Sequence, residues 1–178
     1  MSEAKSESAL PKLIDPGKWA DRAAVCDATV PLRRFPRLLD GMVDDAGEVR
    51  VAVRFDRDAR GLAQMTGELA TQVQATCQRC LTPVAVPLQA TVDVFLLADE
   101  ADAERLGEDE DYVVFADGQI DLPELLEDEL ILALPLVTRH EDCEPQVPLV
   151  EAEPDSEPVA KKENPFQILA SLKRQDGE

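Results

Sequence analysis

Four side chains that can bind a metal stand in two short pairs, Cys77-x-x-Cys80 and His140-x-x-Cys143. Two ligands separated by two residues on a tight turn lie close enough to share one tetrahedral ion. Three sulfurs and one imidazole form a ligand set that zinc accepts. Because a long stretch of chain separates the pairs, two interpretations stay open: one structural zinc ion, or ordinary reduced thiols near the surface.

The sequence contains few of the motifs that indicate redox or catalytic activity. A thioredoxin-like dithiol should begin a helix, whereas the sequence on both sides of Cys77-x-x-Cys80 alternates as a strand does. The chain has no Gly-rich phosphate loop and no Gly-x-Ser-x-Gly motif, and it has one histidine. The sequence therefore predicts that the protein is not an enzyme. The alternative is a zinc-dependent hydrolase or nuclease, which would need an open coordination position beside a general base.

Two long strands within residues 66–97 are expected to position the first pair. Polar and apolar residues alternate before Cys77, and every second residue after Cys80 is apolar over the row Val84, Val86, Leu88, Ala90, Val92, Val94 and Leu96. This period predicts an antiparallel hairpin whose connection carries both cysteines. Pro87 cannot donate to a ladder, so the second strand should be an edge or bend there.

The remaining segments predict an α+β fold with a mostly antiparallel sheet, a long central hairpin and one main packing helix. Alternation indicates strands at 23–30, 49–56 and 112–115, with an Asp117-Gly118 hairpin turn that leads back to 119–121. The main helix is expected at 121–134, where Asp121 can cap its first turn. A short helix at 31–39, a turn at 15–17 after a strand, and a flexible acidic loop at 99–111 complete this prediction.

Composition divides the chain into four parts. Residues 1–10 are expected to be a disordered leader, 11–143 a single α+β domain, 144–163 a disordered acidic tether, and 164–174 a short helical motif. Such a motif can dock onto its own domain or bind a groove on a partner, and we favour the partner. The residues expected to bind it are Asn164, Pro165, Phe166, Leu169 and Leu172.

Charge is distributed unevenly along the chain. Residues 1–60 contain equal numbers of basic and acidic side chains, so the net charge of −19 lies in the rest. Nonspecific wrapping of nucleic acid by that part is unfavourable, whereas a basic protein partner is allowed. An arginine face in the N-terminal third is the alternative RNA-binding candidate, and solvated, scattered arginines are the competing interpretation. The face would consist of Arg33, Arg34, Arg37, Arg50 and Arg54.

The sequence also favours one compartment. No apolar run approaches the roughly 20 residues that span a bilayer, and the polar residues 1–10 do not resemble a secretory signal. We therefore expect a cytoplasmic protein that is not bound to a membrane and whose cysteines are reduced.

The ordered combination of motifs resembles the YceD family, the large ribosomal RNA subunit accumulation proteins. The resemblance rests on Cys77-Gln78-Arg79-Cys80-Leu81, on the acidic helix after Ile120-Asp121-Leu122, on His140 with Cys143, and on residues 164–173. It implies a bacterial cytoplasmic factor that supports synthesis, processing or stability of the large-subunit (23S) rRNA. Its expected partner is a ribosomal or rRNA-processing protein, with direct rRNA contact as an alternative. The resemblance supplies no catalytic residue and does not decide whether a metal is bound.

Overall fold

The computed structural model describes residues 10–115 and 118–146. Two short 3₁₀ turns, Leu32–Arg34 and Glu100–Arg105, accompany the helices and strands. In chain order these are β1 (Leu13–Ile14), α1 (Pro16–Asp21), β2 (Val25–Pro31), β3 (Glu48–Arg57), β4 (Ala63–Thr76), β5 (Pro83–Leu97), β6 (Tyr112–Val114), β7 (Ile120–Asp121) and α2 (Leu122–Leu132).

Five strands form one sheet in the order β2-β3-β4-β5-β6, and β1 pairs with β7 in a separate two-stranded sheet. Neighbours from β2 to β5 are antiparallel, whereas β6 lies parallel to the last residues of β5. The predicted α+β fold with a mostly antiparallel sheet is confirmed.

The longest ladder is the predicted hairpin of β4 and β5, which pairs Ala63 with Leu96 at one end and Thr76 with Pro83 at the other. The apolar row of β5 from Val84 to Leu96 is buried, as its period-2 pattern predicts. Pro87 pairs with Gln72 of β4. Among the described residues, β6 is the other neighbour of β5 and reaches only positions 95–97. Pro87 therefore lies on an open edge, where its missing N–H costs no ladder bond.

Helix α2 packs against the buried face of the sheet and is the main packing helix that the sequence predicts. Its start matches the expected cap, because the Asp121 carboxylate accepts a hydrogen bond from the Glu124 N–H at 3.1 Å. Leu122, Leu126 and Leu130 are fully buried in one core with the inward side chains of β3, β4 and β5. Within the described residues, none of the helices has the length and apolar composition that a membrane crossing requires.

A buried carboxylate joins α2 to the segment that follows β2. Glu127 is 4% exposed. Its Oε1 accepts from the backbone N–H of Arg37 at 2.6 Å and of Leu38 at 3.0 Å. Its Oε2 accepts from Arg37 Nε at 3.0 Å. These bonds replace the water that the carboxylate loses on burial, so Glu127 fastens residues 35–38 to the helix.

The helix expected at 31–39 does not form. The segment contains one 3₁₀ turn, Leu32–Arg34, followed by further turns. Leu32, Phe35 and Leu38 are all buried, which explains the apolar spacing that suggested a helix. Pro36 offers no N–H and disfavours a helical conformation at Phe35, so the chain leaves the turn there.

The turn expected at 15–17 is instead the start of α1. Asp15 caps this helix by accepting from the Lys18 N–H at 3.0 Å, and Pro16 is its first residue. Aspartate before proline is common both in turns and at helix N-termini. The predicted turn is therefore wrong, and these residues begin a helix. Trp19 packs its ring edge-on against Phe55, with 5.0 Å between the ring centroids.

The hairpin expected around Asp117-Gly118 is also wrong. β6 pairs with β5, and β7 pairs with β1, so the two strands belong to different sheets. Both are too short to form a stable ladder with each other, and each finds an available edge elsewhere. Asp117 itself lies outside the described residues.

The acidic segment 99–111 is more ordered than its composition predicts. It contains the 3₁₀ turn Glu100–Arg105, and the Glu110 carboxylate accepts two bonds from Arg60, at 2.7 and 2.8 Å. The Arg60 guanidinium holds the pKa of Glu110 well below its usual range, at about 2. A cation from the β3–β4 connection therefore fastens this segment to the body.

The ends of the chain are described only in part. Of the predicted leader, Leu10 is described, and it is buried in the core. Of the predicted tether, residues 144–146 are described. The predicted motif at 164–174 lies outside the described residues.

We expect Glu127→Ala to lower the free energy of unfolding by about 2–4 kcal/mol, because two backbone donors and Arg37 lose their acceptor. Asp128→Ala is the matched control. Asp128 also pairs with Arg37, at 2.7 Å, but its side chain is half exposed, so the loss should be much smaller. Urea unfolding of both variants measures the difference, and equal losses would contradict the structural role of Glu127.

Candidate metal centre

The connection between β4 and β5 holds the first two cysteines on one turn. The Cys77 N–H donates to the Thr82 carbonyl at 2.9 Å, and the Leu81 N–H donates to the Cys77 carbonyl at 2.9 Å. Leu81 adopts a φ of 59°, in the left-handed region that a non-glycine residue rarely occupies. This conformation returns the chain into β5 and leaves Cys77 and Cys80 buried behind the tip.

The second pair is brought to the tip by two hydrogen bonds from the segment after α2. The Thr138 hydroxyl donates to the Thr76 carbonyl at 2.8 Å. In return, the Gln78 N–H donates to the Thr138 carbonyl at 2.8 Å. The segment that carries His140 and Cys143 is therefore held beside the hairpin.

The four predicted ligands come together in one cluster. One ligand atom from each of Cys77, Cys80, His140 and Cys143 lies within 4.8 Å of all the others. The Sγ atoms of Cys77 and Cys143 are 3.7 Å apart, and Cys80 Sγ is 3.4 Å from His140 Nδ1. A tetrahedral zinc ion with Zn–S bonds of about 2.3 Å holds two sulfurs about 3.8 Å apart and a sulfur and a nitrogen about 3.6 Å apart. The donor set and its spacing thus fit such an ion.

The surroundings of the cluster favour the thiolate form of Cys77 and Cys80 at the hairpin tip. Burial opposes ionisation of Cys77, but backbone N–H groups of Cys80 and Arg79 outweigh it and lower the pKa of this thiol to about 5. The Thr82 hydroxyl, 3.1 Å from Cys80 Sγ, lowers the pKa of Cys80. Hydrogen bonding to Cys77 and Cys80 raises the pKa of His140. Burial raises the pKa of Cys143, and Arg79 opposes that effect.

The arrangement can hold a divalent cation with nitrogen and sulfur ligands. Thiolate is the form of cysteine that binds a metal, and the tip already stabilises it. Four protein ligands complete a tetrahedral shell and leave no position for water, which is the pattern of structural sites. Cys26, the remaining cysteine, is buried in the core and lies outside the cluster.

The five arginines of the predicted RNA-binding face lie on the 3₁₀ turn after β2, on the segment that follows it, and on β3. Arg37 lies against α2, where it pairs with Glu127 and Asp128. Arg50 and Arg54 are exposed on β3 between its buried positions, on the side of the sheet that faces away from α2. Arg33 and Arg34 are exposed on the 3₁₀ turn after β2. RNA binding by these five arginines stays a prediction.

The other predicted contact residues, Asn164, Pro165, Phe166, Leu169 and Leu172, lie outside the described residues. One residue of the centre was missed from the sequence. Arg79, between the two cysteines of the tip, donates from Nε to Cys143 Sγ at 2.9 Å. Its place inside the Cys-x-x-Cys spacing was the available signal, but the contact spans 64 residues and depends on the fold.

The amino-acid sequence was compared with protein families, with characterised proteins and with solved structures. The family described as large ribosomal RNA subunit accumulation protein YceD matches residues 65–173 of the chain. A Haemophilus influenzae protein named large ribosomal RNA subunit accumulation protein YceD is 34% identical over 168 residues, which cover 93% of this chain and 97% of that protein. No solved structure matches the chain. The matched region includes both ligand pairs and Arg79.

The conformation of the tip can be tested at Leu81. Leu81→Gly and Leu81→Ala both remove the exposed side chain, but only glycine adopts a positive φ without steric cost. We expect the glycine variant to be more stable than the alanine variant by about 1 kcal/mol. Urea unfolding of the two proteins in the same buffer measures this, and an alanine variant of equal or greater stability would contradict the left-handed conformation.

Proposed function

The chain belongs to the YceD family of large ribosomal RNA subunit accumulation proteins, and we propose that it is a non-enzymatic ribosome-biogenesis factor. In this role it supports synthesis, processing or stability of the large-subunit (23S) rRNA in the cytoplasm. The observation that carries the proposal is the match to a relative of that name over nearly the full length of both chains.

The proposed occupant of the candidate metal centre is one structural zinc ion. Its ligands would be Cys77 and Cys80 from the hairpin tip and His140 and Cys143 from the segment after α2. When bound, zinc supplies a cross-link between these two parts of the chain. The sulfur-rich donor set and the atom spacings support zinc over a cation that prefers oxygen ligands.

A closed ligand set also supports a non-enzymatic role. A zinc-dependent hydrolase or nuclease needs a coordination position for water beside a general base. Here the four ligand atoms would occupy every position of a tetrahedral ion. The cluster is therefore better suited to holding a surface in shape than to activating water.

The proposed partner is a basic ribosomal or rRNA-processing protein. The net charge of −19 lies in residues 61–178, and it favours a positively charged partner over a phosphate backbone. The proposed anchors on this chain are Phe166, Leu169 and Leu172. The alternative of direct RNA binding through the arginine face has less support, because two carboxylates already neutralise Arg37.

We expect the wild-type protein, purified under reducing conditions, to contain about one zinc ion per chain. Cys77→Ser and Cys143→Ser should each lose most of it, since each removes one of four ligands. Cys26→Ala is the matched control, because Cys26 is a buried thiol that lies outside the cluster. Metal analysis by mass spectrometry measures the content. A wild-type protein without bound metal, or an equal loss in the control, would rule out the proposed site.

We expect the double variant Phe166→Ala/Leu169→Ala to lower the ratio of large-subunit to small-subunit rRNA in cells whose only copy carries it. The two apolar anchors are lost, while the described body should unfold at the same temperature as the wild type. Gln167→Ala/Ser171→Ala, in the same segment but outside the apolar stripe, is the control and should leave the ratio unchanged.

Normal rRNA levels with the double variant would show that these residues are not the anchors. Normal levels after removal of the whole protein would instead overturn the proposed function. The direct-RNA alternative makes a different prediction: charge reversal at Arg50 and Arg54 should abolish an affinity that falls steeply with salt.

A further inference from the structure

The guanidinium of Arg79 reaches from the hairpin tip to the segment that carries the second ligand pair. Its Nε donates to Cys143 Sγ at 2.9 Å. Its Nη2 donates to the carbonyls of His140 and Glu141, both at 3.0 Å. One side chain between Cys77 and Cys80 therefore contacts the ligand sulfur and the backbone of the opposite pair.

The chemistry of the proposed ligand set explains why a cation is placed there. One Zn²⁺ bound by three thiolates and a neutral imidazole carries a net charge of −1. Negative charge at a partly buried site is unfavourable unless a positive group or a hydrogen-bond donor compensates it. The Arg79 guanidinium provides both a positive charge and a hydrogen-bond donor, because its charge-assisted N–H bond is made to one of the sulfurs.

The shape of arginine suits this position better than that of lysine. The guanidinium is planar and carries five N–H donors in a rigid fork, so one group can serve a sulfur and two carbonyls at once. The lysine ammonium is a compact point charge on a flexible chain and does not reproduce that pattern.

We propose that Arg79 is a positioning residue of the metal centre, which neutralises the Cys143 thiolate and locks the His140–Cys143 segment against the hairpin tip. This inference rests on the zinc site proposed above. The geometry supports this role, because the same guanidinium contacts the Cys143 sulfur and the backbone carbonyls of His140 and Glu141. Partners around the ligands commonly affect metal affinity by 10- to 100-fold.

The test is a zinc competition titration of the full chain against a chromophoric chelator. We expect Arg79→Gln to weaken zinc binding by roughly 10- to 100-fold, and Arg79→Lys to weaken it less. Co²⁺ in place of zinc should still give the absorption spectrum of a tetrahedral sulfur-rich site in both variants, because all four ligands remain. A zinc affinity of Arg79→Gln equal to that of the wild type would overturn the proposal.

Arg139→Gln is the matched control. Arg139 precedes a ligand in sequence, is exposed, and its replacement removes the same unit of charge. Its effect on zinc affinity should be small, because an exposed charge is screened by solvent. Equal losses in Arg79→Gln and Arg139→Gln would overturn the role of Arg79 while leaving the zinc site intact. A wild-type chain that binds neither zinc nor Co²⁺ would overturn both proposals.

A double-mutant cycle asks whether Arg79 acts through the sulfur of Cys143. Cys143→Ser leaves three ligands, and its residual Co²⁺ affinity can be measured with and without Arg79→Gln. We expect the effect of Arg79→Gln to shrink in this background, because the thiolate that the guanidinium compensates is gone. The same fold-change in both backgrounds would show that Arg79 does not act on Cys143.

Discussion

The antiparallel ladder between β4 and β5 is the constraint on which the rest of the structure depends. Its register runs without interruption from Ala63 opposite Leu96 to Thr76 opposite Pro83. A slip of one residue would turn the apolar row of β5 toward solvent, so burial of that row also determines which residues form the connection. The position of Cys77 and Cys80 is therefore a consequence of core packing at the other end of the hairpin.

Two long-range polar connections attach the remaining segments to this ladder. Glu127 joins α2 to the backbone at Arg37 and Leu38, and thereby holds the helix over the buried face of the sheet. Beyond α2, Thr138 exchanges hydrogen bonds with the backbone of the hairpin tip. Helix α2 thus links the core to the segment that carries His140. The Glu127 bonds are buried or partly buried, so loss of this carboxylate would leave donors unsatisfied, whereas the Thr138 hydroxyl bond is exposed.

The candidate metal centre and the acidic charge of the chain act at different ranges. The candidate centre concentrates sulfur, imidazole and Arg79 at one end of a long hairpin, where Cys77 and Cys80 are part of the hydrophobic core. A metal bound there would cross-link the hairpin tip to the segment after α2. The negative charge is spread over residues 61–178 and acts at longer range, where it attracts positively charged molecules and repels negatively charged ones.

Local and periodic features could be predicted from the sequence. The hairpin follows from alternation, the start of α2 from the Asp121 cap, and the candidate ligands from their spacing, because each of these signals lies within a few residues. The turn predicted at 15–17 and the helix predicted at 31–39 were wrong, because more than one local structure suits these residues. Within 112–121 the strands formed, but each pairs with a strand distant in sequence and not with the other. Arg79 was missed for the same reason, since its partner Cys143 is remote in sequence. The sequence by itself determined which side chains could bind a metal, and only the tertiary structure brought the two pairs within bonding distance, because that step depends on the packing of α2 against the sheet.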